Sequence, residues 1–147
     1  MDEIWNNIWL GNIDDALAFD KKDGAIVTLL EDMHTEWNEF PVIYEELKQK
    51  HAFIFPILDD EKAEFKICEL EAVAKFEKRW RKSRPEGKLL FHCWSGMERS
   101  PFAVAWVLFR NYNNDFPTLK IAYDFVKSKR SIVQDRMDWL PSWIWKI

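Results

Sequence analysis

The sequence predicts an α/β fold, a single domain over residues 1–147 in which a mostly parallel central sheet is flanked by helices on both faces. Three observations predict it. Short, largely apolar runs bounded by Gly, Asp or Pro recur along the chain, as strands covered on both faces require. Segments with apolar residues at three- and four-residue spacing alternate with them. The composition, 147 residues of which 48% are hydrophobic, 31% charged and nine Trp, supplies one core and a solvated exterior.

In chain order, Ile8–Leu10 reads as a strand and Asp14–Phe19 as a helix. Ala25–Leu30 is the next strand, Val42–Lys50 the next helix, and Phe53–Ile57 a third strand. Ala63–Trp80 carries the clearest helical period: Phe65, Cys68, Ala72, Val73, Phe76 and Trp80 share one face, and Glu69, Lys75, Glu77, Lys78 and Arg79 lie mostly on the other. Cys68 is therefore expected in the core. The basic run Lys78–Arg84 is expected as the solvated end of this helix. Arg84-Pro85-Glu86-Gly87 is a turn that feeds the strand Leu89–His92. Helices follow at Pro101–Asn111 and Pro117–Ser128, each with a proline near its first turn, where the missing N–H does no harm. The closing DWLPSWIWKI is expected to dock Trp139, Trp143 and Trp145 on the body.

A formal charge of −4 argues against long nucleic acids as partners. No stretch has the apolar length of a membrane span, and MDEIWNNIWL lacks the basic start and apolar centre of a secretory signal. A cytoplasmic location without a membrane partner is the expectation. Cys68 and Cys93 are too few for a disulfide framework. Neither has metal-ligand spacing, and His34 and His51 are isolated, so neither a metal nor a cofactor is expected.

The chemistry concentrates in LLFHCWSGMERSPFAV, residues 89–104. Cys93 follows a strand, and Trp94–Arg99 forms the loop to a helix starting near Ser100–Pro101. At a helix N-terminus unpaired N–H groups and the positive end of the dipole favour an anion, whether a phosphate or a thiolate. The loop Trp94, Ser95, Gly96, Met97, Glu98 and Arg99 is long enough to curl its amides inward around a tetrahedral oxyanion, with Gly96 permissive midway. Arg99 offers two-pronged donors to phosphate oxygens, a geometry lysine lacks. Ser100 can donate its hydroxyl to the sulfur and so help it leave, and His92 is expected to bond backbone and hold the cysteine. Together these residues describe phosphoryl transfer through a cysteinyl-phosphate.

His92-Cys93-Trp94-Ser95-Gly96-Met97-Glu98-Arg99-Ser100 resembles the HCxxGxx-Arg-Ser/Thr signature of the cysteine-dependent protein tyrosine phosphatases, and the length is similar to their compact dual-specificity branch. The resemblance extends to IWLGNIDDALA, which looks like the family's opening strand and helix. It implies a protein tyrosine phosphatase-like fold and hydrolysis of phosphotyrosine, with phosphoserine and phosphothreonine as further substrates, in phosphorylated proteins. Such a reaction needs an acid for the leaving oxygen, expected on the loop after a neighbouring strand, where Leu58-Asp59-Asp60-Glu61 stands. In the resembling family the acid ends a Pro-apolar-x-Asp run, which Pro56-Ile57-Leu58-Asp59 matches. That assigns Asp59, with Asp60 as its rival and helix capping as the alternative use of either.

Two positions depart from the family pattern: Glu98 puts an acid directly before the arginine, and Gln134-Asp135 stand where a Pro-Asn pair is often seen. Glu98 is expected to lower the positive potential of the loop. Some members pair their catalytic thiol with a second one, which makes a resolving role the rival to core packing for Cys68. Alternative readings of the site are a phosphoinositide or RNA 5′-phosphate phosphatase, a non-catalytic phosphate-binding module, and a persulfide-transferring loop. The first prefers lysine-rich loops, and Trp94, Ser95, Met97 and Glu98 include none.

Overall fold

Asn6 and Asn7 both take left-handed backbone angles, φ 41° and 65°, as two-residue hairpin turns that follow strand twist require. They fold β1 (Asp2–Trp5) back on β2 (Ile8–Gly11) as an antiparallel pair. The sequence reading places no strand at Asp2–Trp5; the Asn-Asn pair is the signal it leaves unused. The computed structural model describes residues 1–29, 41–55, 63–93 and 97–146, and only the backbone of 41–44 and 63–65.

The remaining strands are β3 (Gly24–Thr28), β4 (Phe53–Ile54) and β5 (Lys88–His92), and the sheet order is β1-β2-β5-β3-β4. The β2–β5, β5–β3 and β3–β4 pairs are all parallel. The sheet is thus mostly parallel with one antiparallel edge. β5 is central, and its carboxyl end delivers His92 and Cys93, the position where ligands bind in open α/β sheets.

Side chains alternate across the pleat. Ile26 and Leu90 face α1 (Ile13–Ala18) and α2 (Pro41–Gln49), meeting Ile13, Ala16 and Leu47. Ala25, Val27, Leu89 and Phe91 belong to the larger core on the other face, beneath α3 (Ala63–Ser83), α4 (Arg99–Asn111) and α5 (Leu119–Lys129). Local chemistry sets the helix starts. Asn12 and Asp15 form a reciprocal capping box before α1, with bonds of 2.9 and 3.0 Å. Thr118 accepts from the Ile121 N–H at 3.1 Å, so Pro117 precedes the cap of α5 instead of occupying its first turn. α4 opens at Arg99, two residues before the expected start, which leaves Pro101 inside its first turn.

The buried stripe of α3 differs from the expected one. Lys66, Leu70, Val73, Ala74, Glu77 and Trp80 face inward, whereas Ala72 is exposed. Cys68 is exposed too, which corrects the expectation of core packing. The physical reason is that a charge can be buried where pairing and hydrogen bonds offset its desolvation. Glu77, fully buried, accepts from Asn111 Nδ2 at 2.9 Å and Tyr112 Oη at 2.8 Å and faces Arg81 at 3.5 Å. Apolar periodicity counts such a carboxylate as solvated and turns the helix the wrong way.

The chain after α5 closes with turns at Met137–Trp139 and Ser142–Lys146. Trp139 and Trp145 are buried against Phe102 as expected, while Trp143 faces outward at 59% exposure. Among the described residues no helix is long and apolar enough to cross a membrane.

Candidate active site

Cys93 leaves β5 at 2% exposure, and seven residues later Ser100, fully buried in the first turn of α4, donates its hydroxyl to the Cys93 Sγ at 3.3 Å. Strand end and helix start thus converge on the sulfur. Arg99 is buried beside Ser100 at 9% exposure. Trp94, Ser95, Gly96 and Asp59 lie outside the described residues, as does Asp60.

His92 fixes the backbone at this junction. Its Nδ1 lies 2.9 Å from the Cys93 carbonyl oxygen, which can only accept, so Nδ1 carries the proton. Nε2 is then a bare acceptor, and the Thr28 hydroxyl donates to it at 2.7 Å. Burial disfavours the imidazolium and pulls the His92 pKa from 6.5 down to about 4, so the ring is neutral at physiological pH. The expected backbone-holding role of His92 therefore has a defined tautomer. A neutral ring with both nitrogens engaged has no capacity to act as a general base toward the sulfur.

The segment after α5 reaches the far side of the loop. The Gln134 N–H donates to the Met97 carbonyl at 2.8 Å. Tyr123 ties that segment to α5, its hydroxyl donating to the Gln134 carbonyl and accepting from the Arg136 N–H, both at 3.0 Å. Burial pushes the Tyr123 phenol up to about 12, so it stays a donor. Glu98 occupies the N-cap position of α4 but makes no side-chain capping bond; its carboxylate instead pairs with Arg136 at 3.2 Å. The charge expected to weaken the loop's positive potential is matched by a cation from the chain's last quarter. Sequence reasoning missed Thr28, which bonds His92, Tyr123, which holds the Gln134–Arg136 segment, and Arg136, which pairs with Glu98; of these, only Arg136 sits beside a position already marked as unusual, Gln134-Asp135.

Chemically, the junction offers a sulfur with a hydroxyl donor, a helix start whose N-cap side chain makes no capping bond, and a buried guanidinium. Such a helix start favours an anion. Among the described residues no group of three ligating side chains gathers in a way that could hold a metal ion.

Solved structures share this architecture. Human DUSP28 is 19% identical with a TM-score of 0.66, over 94% of this chain and 86% of that one. The PTP-2 phosphatase of Cydia pomonella is 19% identical with a TM-score of 0.67, over 94% and 84%. PTPMT1, also 19% identical, superposes with a TM-score of 0.67 over 95% and 88%. No protein-family model and no curated protein matches the sequence. The chain has the compact α/β fold of the cysteine-dependent tyrosine and dual-specificity phosphatases.

Proposed function

We propose that this protein is a cysteine-dependent phosphatase acting on phosphotyrosine, and on phosphoserine and phosphothreonine, in phosphorylated proteins. The observation that carries the reading is the Ser100 hydroxyl aimed at the Cys93 sulfur at the start of α4. In the first step the Cys93 thiolate attacks phosphorus and the bond to the leaving oxygen breaks as Asp59 delivers it a proton. Arg99 and the loop amides of Trp94, Ser95, Gly96, Met97 and Glu98 hold the equatorial oxygens while charge redistributes. In the second step Asp59, now a carboxylate, takes a proton from water whose oxygen attacks phosphorus. The sulfur–phosphorus bond breaks, and the Ser100 hydroxyl stabilises the departing thiolate. Neither a metal nor a cofactor takes part.

The test is hydrolysis of p-nitrophenyl phosphate in the presence of chelator. Cys93→Ser is expected to abolish turnover, and unchanged turnover would overturn the mechanism. Asp59→Ala is expected to slow turnover by about 10²–10⁴-fold and Asp60→Ala far less; the reverse order moves the acid to Asp60. PTPMT1 has been solved in complex with PI(5)P, so that lipid is the comparison substrate. Because the variable loop positions carry no lysine, phosphopeptides are expected to exceed PI(5)P and an RNA 5′-phosphate in kcat/KM.

A further inference from the structure

We infer that Arg136 is a positioning residue for the candidate phosphate loop, acting by neutralising Glu98 and holding it away from the anion site; the inference rests on the phosphatase reading above. Glu98 and Arg99 are neighbours in sequence, so a carboxylate stands one residue from the guanidinium proposed to hold phosphate. An unmatched carboxylate there would repel a dianionic phosphate and compete for Arg99, an effect that salt screens only in part at short range.

The fold answers that charge with several contacts. Arg136 Nη1 lies 3.2 Å from Glu98 Oε2, with only 26% and 30% of the two side chains exposed. The guanidinium also lies over the Trp139 ring, 4.7 Å from its centroid, and its Nε faces Asp138 at 3.4 Å. Trp139 in turn packs on Phe102, in the first turns of α4, with ring centroids 5.6 Å apart. The Arg136 backbone is fixed by Tyr123 Oη at 3.0 Å, and two residues earlier the Gln134 N–H holds the Met97 carbonyl at 2.8 Å. Met97 and Glu98 are therefore held from the same segment, one through its backbone and the other through its charge. The two departures from the family pattern, Glu98 and the stretch around Gln134-Asp135, turn out to be neighbours in space.

This arrangement makes an asymmetric prediction that a merely structural ion pair does not. Arg136→Gln and Glu98→Gln break the same bond, so equal loss of function is the structural outcome. If Arg136 acts by neutralisation, Arg136→Gln leaves a bare carboxylate beside the phosphate, whereas Glu98→Gln leaves none. Arg136→Gln is expected to raise KM for p-nitrophenyl phosphate about three- to tenfold, more at low salt than at high, with a smaller change in kcat. Glu98→Gln, which removes the carboxylate together with the bond, should raise KM less than Arg136→Gln does, and its effect should depend less on salt. The double variant should recover most of the loss of Arg136→Gln, and Arg136→Lys, which keeps the charge, should lie near the parent.

Binding of inorganic phosphate to the Cys93→Ser protein, followed by calorimetry with and without Arg136→Gln, gives the same comparison without turnover. If the parent binds phosphate but does not turn over substrate, the phosphatase reading fails while the weaker binding in Arg136→Gln still supports the positioning role. Equal effects of the two single variants, or no recovery in the double variant, overturn the inference. If Arg136→Gln does not fold, Arg136→Lys and the double variant still decide: a double variant as impaired as one lacking phosphate binding altogether is a structural result and overturns it.

Discussion

His92 lies between two hydrogen bonds whose partners permit only one tautomer, Nδ1–H toward the Cys93 carbonyl and a bare Nε2 toward the Thr28 hydroxyl. Protonation would remove the Nε2 acceptor and place a charge in a fully buried site, and burial is the main reason its pKa falls to about 4 from 6.5. The unfolded chain then binds this proton before the folded one does. The contribution to stability is complete above about pH 6.5 and is lost progressively as the pH falls toward about 4, by at most about 3 kcal/mol. Urea unfolding between about pH 7.5 and pH 5 is expected to show a loss larger by about 2 kcal/mol in the parent than in His92→Asn, which has no imidazole to titrate. Parallel losses would mean that the burial of His92 does not set the acid sensitivity. At this scale the sequence is informative where chemistry is contiguous: His92, Cys93, Arg99 and Ser100 lie within nine residues and are legible as a unit. Thr28 and Arg136 are not, because nothing in a local window says which distant strand end or tail will face the loop.

Among the helices, α3 and α4 are joined by carboxylates. Glu71 of α3 accepts from Trp106 Nε1 at 2.9 Å and pairs with Arg110 Nε at 2.8 Å, at the half-exposed end of the contact. Glu77 does the equivalent work fully buried, taking Asn111 and Tyr112, while the Asn111 amide also reaches the Ala74 carbonyl at 2.8 Å. Burial together with the Glu77 carboxylate keeps the Tyr112 phenol well above its ordinary range, so the proton stays on the donor. Removing Glu77 would take an acceptor from the half-buried Asn111 and Tyr112 and the facing carboxylate from Arg81, which costs about 1–3 kcal/mol. Removing Glu71 would expose its partners to water, at about 1 kcal/mol or less. Urea unfolding of Glu77→Ala and Glu71→Ala checks the difference, and equal losses would contradict the assignment of α3 orientation to Glu77. The same residue explains why the sequence placed α3 over nearly the right span yet rotated it. Its limits follow from helical spacing, but its inward face is chosen by Glu77 and by Lys66, whose ammonium lies 5.2 Å from the Trp139 ring centroid. The basic end of α3 needs no binding partner to explain it: Arg81 and Lys82 sit in the last turn, where cations complement the helix dipole, and Arg81 and Arg84 lie over the Trp80 ring at 5.2 and 5.6 Å.

For the molecule as a whole, strand alternation and helical spacing made the α/β architecture readable, because a sheet covered on both faces imposes its pattern on every strand. The edge hairpin escaped that logic, since a four-residue edge strand with one half-exposed face carries too few apolar positions to register. What ties the ends of the chain to this frame is the larger core, which runs without interruption from Ile4 to Trp145. Arg130 adds a polar tie across the same distance, its Nη1 2.7 Å from Asp2 in β1. Trp145 sits among Phe102 and Tyr123, 5.5 Å from each ring centroid, and donates Nε1 to the Met137 carbonyl at 2.9 Å. Because that cluster is continuous with the side chains beneath α4, the closing segment should unfold with the sheet and not before it. Urea unfolding followed by tryptophan fluorescence and by far-ultraviolet circular dichroism is expected to give coincident transitions. Trp145→Ala should move both to lower urea together, by an amount equivalent to about 3–5 kcal/mol. A fluorescence change that precedes the loss of secondary structure, or a variant with an unmoved midpoint, would show that the aromatic tail is an appendage; since Gln134 and Arg136 hold Met97 and Glu98 from that tail, its early release would also uncouple them from the candidate phosphate loop.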